Sequence, residues 1–167
     1  MTWLDMAISL AKQFEGCSLG AYPDPVYGWR KATVGFGATG PAITQGTAWT
    51  QQQADDDLMY RMKGIGAHID SLVTVPLTDE QKGALADLVY NIGLHAFETS
   101  TLLRMLNGHN MQGAADQFLE WISPDHPEVT AGLLKRRQAE RALFILGADF
   151  SQDPAPGEVQ PQPEAST

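Results

Sequence analysis

The chain is a run of stretches with helical periodicity, interrupted by one stretch that has none. Leu4, Ile8, Ala11 and Phe14 recur at helical spacing and mark one inward face. Thr2 followed by Asp5 has the form of a capping box, so a first helix is predicted to deliver Glu15 at its C-terminal end. From Gly20 to Thr50 the period disappears and Gly, Pro, Thr and aromatics take over. This stretch predicts a small sheet of two or three short strands, with Thr33-Val34-Gly35-Phe36 the clearest. Thr50 with Gln53 then opens a long helix through Leu58, Met62 and Ile65 to about Leu72. Thr78 with Gln81 opens another, with Leu85, Leu88, Val89 and Ile92 inward and Gly93 as its stop. Asn110 to Ile122 reads as a further helix. Ser123-Pro124-Asp125-His126-Pro127 has too many breakers for one, and Thr130 to Leu146 is helical up to Gly147.

Composition places this pattern in one domain. At 167 residues and 43% apolar, the chain has enough for one substantial core. Its single cysteine, Cys17, excludes an internal disulfide, and a small packed residue is the expected reading over a reactive thiol. No stretch is long and apolar enough to suggest a membrane span, and Asp5, Lys12 and Gln13 interrupt the N-terminal run where a signal peptide would be apolar. The first residues are therefore expected to be a helix of the domain. From about Ala148 onward the chain is rich in Pro, Gln and Glu, which predicts a disordered tail over 148–167 behind a domain of 1–147.

The formal net charge is −9. Asp149, Asp153, Glu158 and Glu164 contribute four of those charges, after the last basic residue, Arg141. An acidic body argues against nucleic acid as a partner, and binding to an anionic cell wall would need short-range contacts. Lys135, Arg136, Arg137 and Arg141 form the one basic patch, which read alone is an exposed helix face. Asp55, Asp56 and Asp57 read as a solvated helix start, since consecutive helical residues diverge. His68, His95, His109 and His126 lack ligand spacing, so no metal and no cofactor is expected.

The chemistry concentrates between Phe14 and Gly37. Glu15 ends a helix, Asp24 sits in the turn Pro23-Asp24-Pro25, and Thr33 opens a strand. Converging, two carboxyls and a hydroxyl suit glycosidic hydrolysis, where one carboxyl protonates the leaving oxygen and the other serves water or the sugar. Apart, they are a surface Glu, a turn Asp and a strand Thr. The helix dipole disfavours a carboxylate at a C-terminus, which suits an acid that must keep its proton, while a nearby arginine would push the other way. Tyr22, Tyr27, Trp29 and Phe36 have two readings, as platforms for sugar rings or as the core of the sheet.

FEGCSLGAYPDP followed by TVGFG resembles the opening of the bacteriophage-type lysozymes (glycoside hydrolase family 24). The interval from Asp24 to Thr33 is longer than in the shortest members by about three residues, with Tyr27, Gly28 and Trp29 at the hairpin tip. The block Ala84 to Leu106, ALADLVYNIGLHAFETSTLLRML, continues the resemblance. It implies an α+β, mainly α, lysozyme-like fold. A small sheet lobe over about 18–49 and a larger helical lobe would flank a cleft, joined by a long helix with a hinge near Gly64–Gly66.

The resemblance also implies a muramidase that cuts the β-1,4 bond between N-acetylmuramic acid and N-acetylglucosamine in peptidoglycan. Glu15 would be the general acid, with Asp24 and Thr33 holding water for inversion; a closer Asp24 would give retention. Tyr90, Asn91, Phe97 and Ser100 would line the helical wall with Tyr22 and Phe36 opposite, although Phe97 also reads as core and Ser100 as a helix cap. One arginine of the basic patch would orient Glu15, and Arg137 is the expected one. Absence of an export signal fits a monomeric phage endolysin that waits in the host cytoplasm and reaches the wall through a membrane lesion. A non-catalytic wall- or protein-binding module and a lytic transglycosylase are the alternatives.

Overall fold

Thr2 caps the first helix, α1 (Trp3–Phe14), in both directions: its hydroxyl accepts the Asp5 N–H, and Asp5 accepts the Thr2 N–H. The computed structural model describes residues 1–123 and 126–155. A three-stranded antiparallel sheet follows α1, in the order β1 (Ser18–Asp24), β2 (Gly28–Gly35), β3 (Ala38–Thr39). The connection to α2 returns along β1, where Ala21 N–H meets Thr47 O and Trp49 N–H meets Leu19 O. Gly35, at φ +63, turns β2 beneath the Trp49 ring; a Cβ there would lie 3.0 Å from it.

The helical body comprises α2 (Gln51–Leu72), α3 (Asp79–Ile92), α4 (Leu94–Glu98), α5 (Thr101–Asn107), α6 (Met111–Gln117) and α7 (Pro127–Leu146). A 3-10 turn, Phe118–Glu120, follows α6. Thr50 and Thr78 close capping boxes at the starts of α2 and α3, as their spacing predicts. Central to the body is α3, buried at Gln81 and from Gly83 through Val89. Leu58 and Met62 of α2, Phe97, Leu102, Leu106, Phe118 and Phe144 complete the core around it. Each such side chain taken fully out of water contributes about 1.5–3 kcal/mol. The Phe118 and Phe144 rings meet tilted, 5.4 Å between centroids.

Several expectations are corrected here. The long helix runs without a break through Gly64–Gly66. Gly66 is instead where the Trp3 ring packs, and a Cβ would come within 2.3 Å of it. The helix expected over Asn110–Ile122 stops at Gln117 and tightens into the 3-10 turn, whereas α7 begins earlier than expected, with Pro127 in its first turn. Cys17 is exposed, not packed. Ala148–Ala155 belong to the described chain: Asp153 accepts the N–H groups of Met111 at 2.8 Å and Gln112 at 2.7 Å, capping α6. The rest of the expected tail, 156–167, lies outside the described residues, as do Pro124 and Asp125 of the expected loop.

Candidate active site

Glu15 is the residue at which α1 ends. Its N–H still bonds Ala11 O, but its backbone is extended (φ −89, ψ 136), so the chain leaves toward β1. The side chain is 27% exposed, and Oε1 accepts from Nη1 of Arg136 at 2.6 Å. That bond occupies one carboxyl oxygen and leaves Oε2 as the one able to carry a transferable proton.

Arg136 is almost entirely buried on α7. Its other nitrogens form a fork on Asp87 of α3, Nε to Oδ2 at 3.0 Å and Nη2 to Oδ1 at 2.8 Å. Burial opposes the guanidinium charge, yet bonds to Asp87 and then Glu15 raise its pKa above the ordinary arginine value. Asp87 is completely buried, so this fork is what makes a carboxylate tolerable in the middle of α3.

Arg137 and Glu140, both fully buried, lie next to this fork. Arg137 Nη2 donates to Glu140 Oε1 at 2.7 Å, and that oxygen is 3.5 Å from Arg136 Nε. Arg137 Nε and Nη1 and Glu140 Oε2 are buried and have no hydrogen-bond partner among the described residues. Burial pushes the Glu140 carboxyl up to about 9 against the pull of Arg137, and the nearby Asp87 carboxylate adds to the rise. Burial thus works against the charge of Glu140 even though Arg137 is bound to it. The structure corrects the expected orienting residue: Arg136, not Arg137, meets Glu15.

Tyr90 ties the helical body to the sheet. Its hydroxyl donates to Phe36 O at 2.5 Å, just after β2, and Arg61 of α2 lies over its ring at 4.8 Å. Arg61 also reaches Phe36 O at 3.4 Å and pairs with Asp57 at 2.7 Å. Burial pushes the Tyr90 phenol up to about 12, so it remains a neutral donor. Lys12 sits over the Phe36 ring and bonds Asp55, closing the same junction from α1.

The sheet holds the other carboxylate quite differently. Asp24 Oδ1 accepts two N–H groups of its own turn, from Val26 at 2.8 Å and Tyr27 at 2.9 Å. Those bonds, Tyr27 first, hold its carboxyl below the usual carboxylate range, and Oδ2 makes no hydrogen bond among the described residues. Thr33 stands opposite Tyr22 in the β1–β2 pairing, and Asp24 is two residues farther along the same strand. Between those points β2 carries three more residues than β1, since Tyr22 faces Thr33 while Asp24 faces Gly28. The lengthened interval is thus taken up as a bulge at the tip, beyond Thr33, and leaves Thr33 paired within the sheet. The Thr33 hydroxyl makes no hydrogen bond among the described residues.

The remaining candidates divide by burial. Tyr22 is 46% exposed and Asn91 is exposed at the end of α3, so both can meet a ligand. Tyr27 and Trp29 are likewise exposed at the tip. Phe36 and Phe97 are core residues with almost no surface to offer a sugar ring. Ser100 caps α5, accepting Leu103 N–H at 3.0 Å and donating to Phe97 O at 2.7 Å. Asp87 and Arg61 were not singled out by sequence, and Arg136 and Glu140 were noted only as part of the α7 charge pattern. The one available signal was Asp87 itself, a charged residue on the apolar face of a central helix, which demands a buried cation.

A helical body with a small sheet hung between the first helix and the long second one is the lysozyme fold, and the protein is an enzyme of that class. The family model described as phage lysozyme matches residues 12–140, and the chain belongs to that family. It is 38% identical over 143 residues to an endolysin of Acyrthosiphon pisum secondary endosymbiont phage 1, covering 84% of this chain and 95% of that relative. Among solved structures it is similar to the muramidase domain of SpmX from Asticaccaulis excentricus, with TM-score 0.75, 32% identity, and coverage of 83% of this chain and 94% of that one. A mutant of P22 lysozyme gives TM-score 0.71 at 39% identity, again over 83% of this chain and 94% of that one.

Proposed function

We propose that the protein is an inverting muramidase acting on the β-1,4 bond between N-acetylmuramic acid and N-acetylglucosamine of peptidoglycan. The observation that carries this reading is the asymmetry of the two carboxyls. Glu15 has one oxygen pinned by Arg136 and the other open, whereas Asp24 is fastened to its own turn as a carboxylate with one free oxygen. Glu15 Oε2 gives its proton to the glycosidic oxygen as the C1–O bond breaks. Water held by Asp24 and the unengaged Thr33 hydroxyl attacks C1 from the opposite face and passes its proton to Asp24. Tyr22 and Asn91 are the exposed candidates for holding the sugar chain, and Tyr90 acts indirectly by fixing the Phe36 turn. Relatives named endolysins support action on the wall of a phage host; in this reading the protein acts as a monomer and leaves the host cytoplasm through a lesion made by another protein.

The test is the loss of turbidity of permeabilised Gram-negative cells, comparing wild type with Glu15→Gln. The variant keeps the shape of the side chain but has no proton to donate, and lysis is expected to slow by at least about 100-fold. Reducing ends in the digest mark hydrolysis, whereas anhydro-muramic ends would replace this reading with a lytic transglycosylase. Binding to purified sacculi without lysis by either protein would replace it with a wall-binding module.

A further inference from the structure

We propose that Asp87 is a positioning residue for Glu15, acting through Arg136 to fix both the place and the charge balance of the acid. The inference rests on the reading of Glu15 as general acid. A guanidinium has two edges able to form paired bonds with a carboxylate. Asp87 takes the Nε/Nη2 edge of Arg136 with one bond to each oxygen, while Glu140 Oε1 stands farther off, 3.5 Å from the same Nε. What remains for Glu15 is a single bond from Nη1. Without Asp87, the Nε edge of Arg136 would keep just the 3.5 Å approach of Glu140, which Arg137 already holds at 2.7 Å, so the fork would be free to turn onto Glu15.

Such a fork would engage both Glu15 oxygens and stabilise the ionised form, which has no proton for a leaving group. The other charged and titratable groups around the junction leave this role to Asp87. Glu140 on α7 is bound at 2.7 Å by Arg137 and approaches Arg136 no nearer than 3.5 Å, Tyr90 on α3 is a neutral phenol, and Arg61 on α2 is paired with Asp57. Arg137 on α7 is engaged with Glu140, and Lys12 on α1 with Asp55. Asp87 is therefore the buried anion that offsets the Arg136 charge when Glu15 is protonated.

The test is the pH dependence of kcat on purified sacculi for folded Asp87→Asn, with Glu15→Gln alongside. With Arg136 uncompensated, the alkaline limb of the profile is expected to move to lower pH by about one unit, lowering kcat about 10-fold near neutral pH. KM should change little. A scaffold role alone would lower the melting temperature and leave the limb where it is, and an unmoved limb overturns the proposal. Should Asp87→Asn not fold, Arg136→Gln and the double variant Arg136→Gln/Asp87→Asn carry the test, since the second lacks the buried unpaired cation. Their limbs are expected to coincide, and a further shift on removing Asp87 without Arg136 present overturns the proposal. Glu15→Gln separates the two levels: if it is inactive while Asp87 moves nothing, only the positioning role falls. If Glu15→Gln works at the wild-type rate, the acid assignment falls and takes this proposal with it.

Discussion

Glu15 and Asp24, the two candidate catalytic carboxyls, are held by opposite means. Glu15 is attached to a buried charge cluster built from α3 and α7, where Arg136 and Asp87 have almost no contact with water. Asp24 stands at the edge of a hairpin and, among the described residues, is fastened only to N–H groups two and three residues away. Removing a member of the buried cluster leaves an uncompensated charge that the interior cannot solvate. Removing Asp24 leaves two turn N–H groups that water can reach. Fold stability and the acid's geometry are therefore coupled on the helical side and separable on the hairpin side.

Arg136→Ala tests this difference most severely. It strands Asp87 in the core and is expected to destabilise the protein by about 3–5 kcal/mol. Thermal unfolding would show this as a fall in Tm of about 10 °C, and an unchanged Tm would dissolve the contrast between the two sides.

Glu140→Gln has a smaller effect that depends on pH. Because burial raises the folded-state pKa from 4.5 to about 9, protonated Glu140 contributes stability that is fully present below about pH 4.5. That contribution is lost as pH rises through about 9. The steepest part of the loss is about 1.4 kcal/mol per pH unit. Glutamine keeps the neutral shape, so the stability of the variant relative to wild type is expected to grow with pH across this window. Urea unfolding at several pH values measures it, and a pH-independent difference would mean that Glu140 is ionised in the fold.

Asp24→Asn is expected to disturb stability least. Its Tm should stay within about 2 °C of wild type, as for a surface substitution, while lysis slows by about 100-fold. A large drop in Tm would show that the hairpin carboxylate is structural after all.

How much of this was legible beforehand follows from the range of the interactions. Thr2/Asp5, Thr50/Gln53 and Thr78/Gln81 are local devices, and all three form as their spacing predicts. The stretch without helical period is the sheet, and Glu15 does end α1. Long-range pairings are another matter. Adjacent helical residues point about 100° apart, so Arg136 and Arg137 face different surroundings, yet Glu140 is three or four residues from either and fits both in sequence. Only the packing of α7 on α3 selects Arg136 for Asp87 and Glu15. Phe36 and Phe97 went the same way, because an aromatic beside a cleft and one beneath it have the same local pattern.

The Asp153 bonds have a practical side. They make the segment after α7 a clasp, running back to supply two N–H groups of α6 with acceptors that its own cap, Asn110, does not provide. A partner domain joined after Ala155 would leave that clasp closed, whereas one joined directly at Gly147 would open it. For anyone fusing this lysozyme to a targeting module, the safe junction therefore lies beyond the last helix by the length of the clasp.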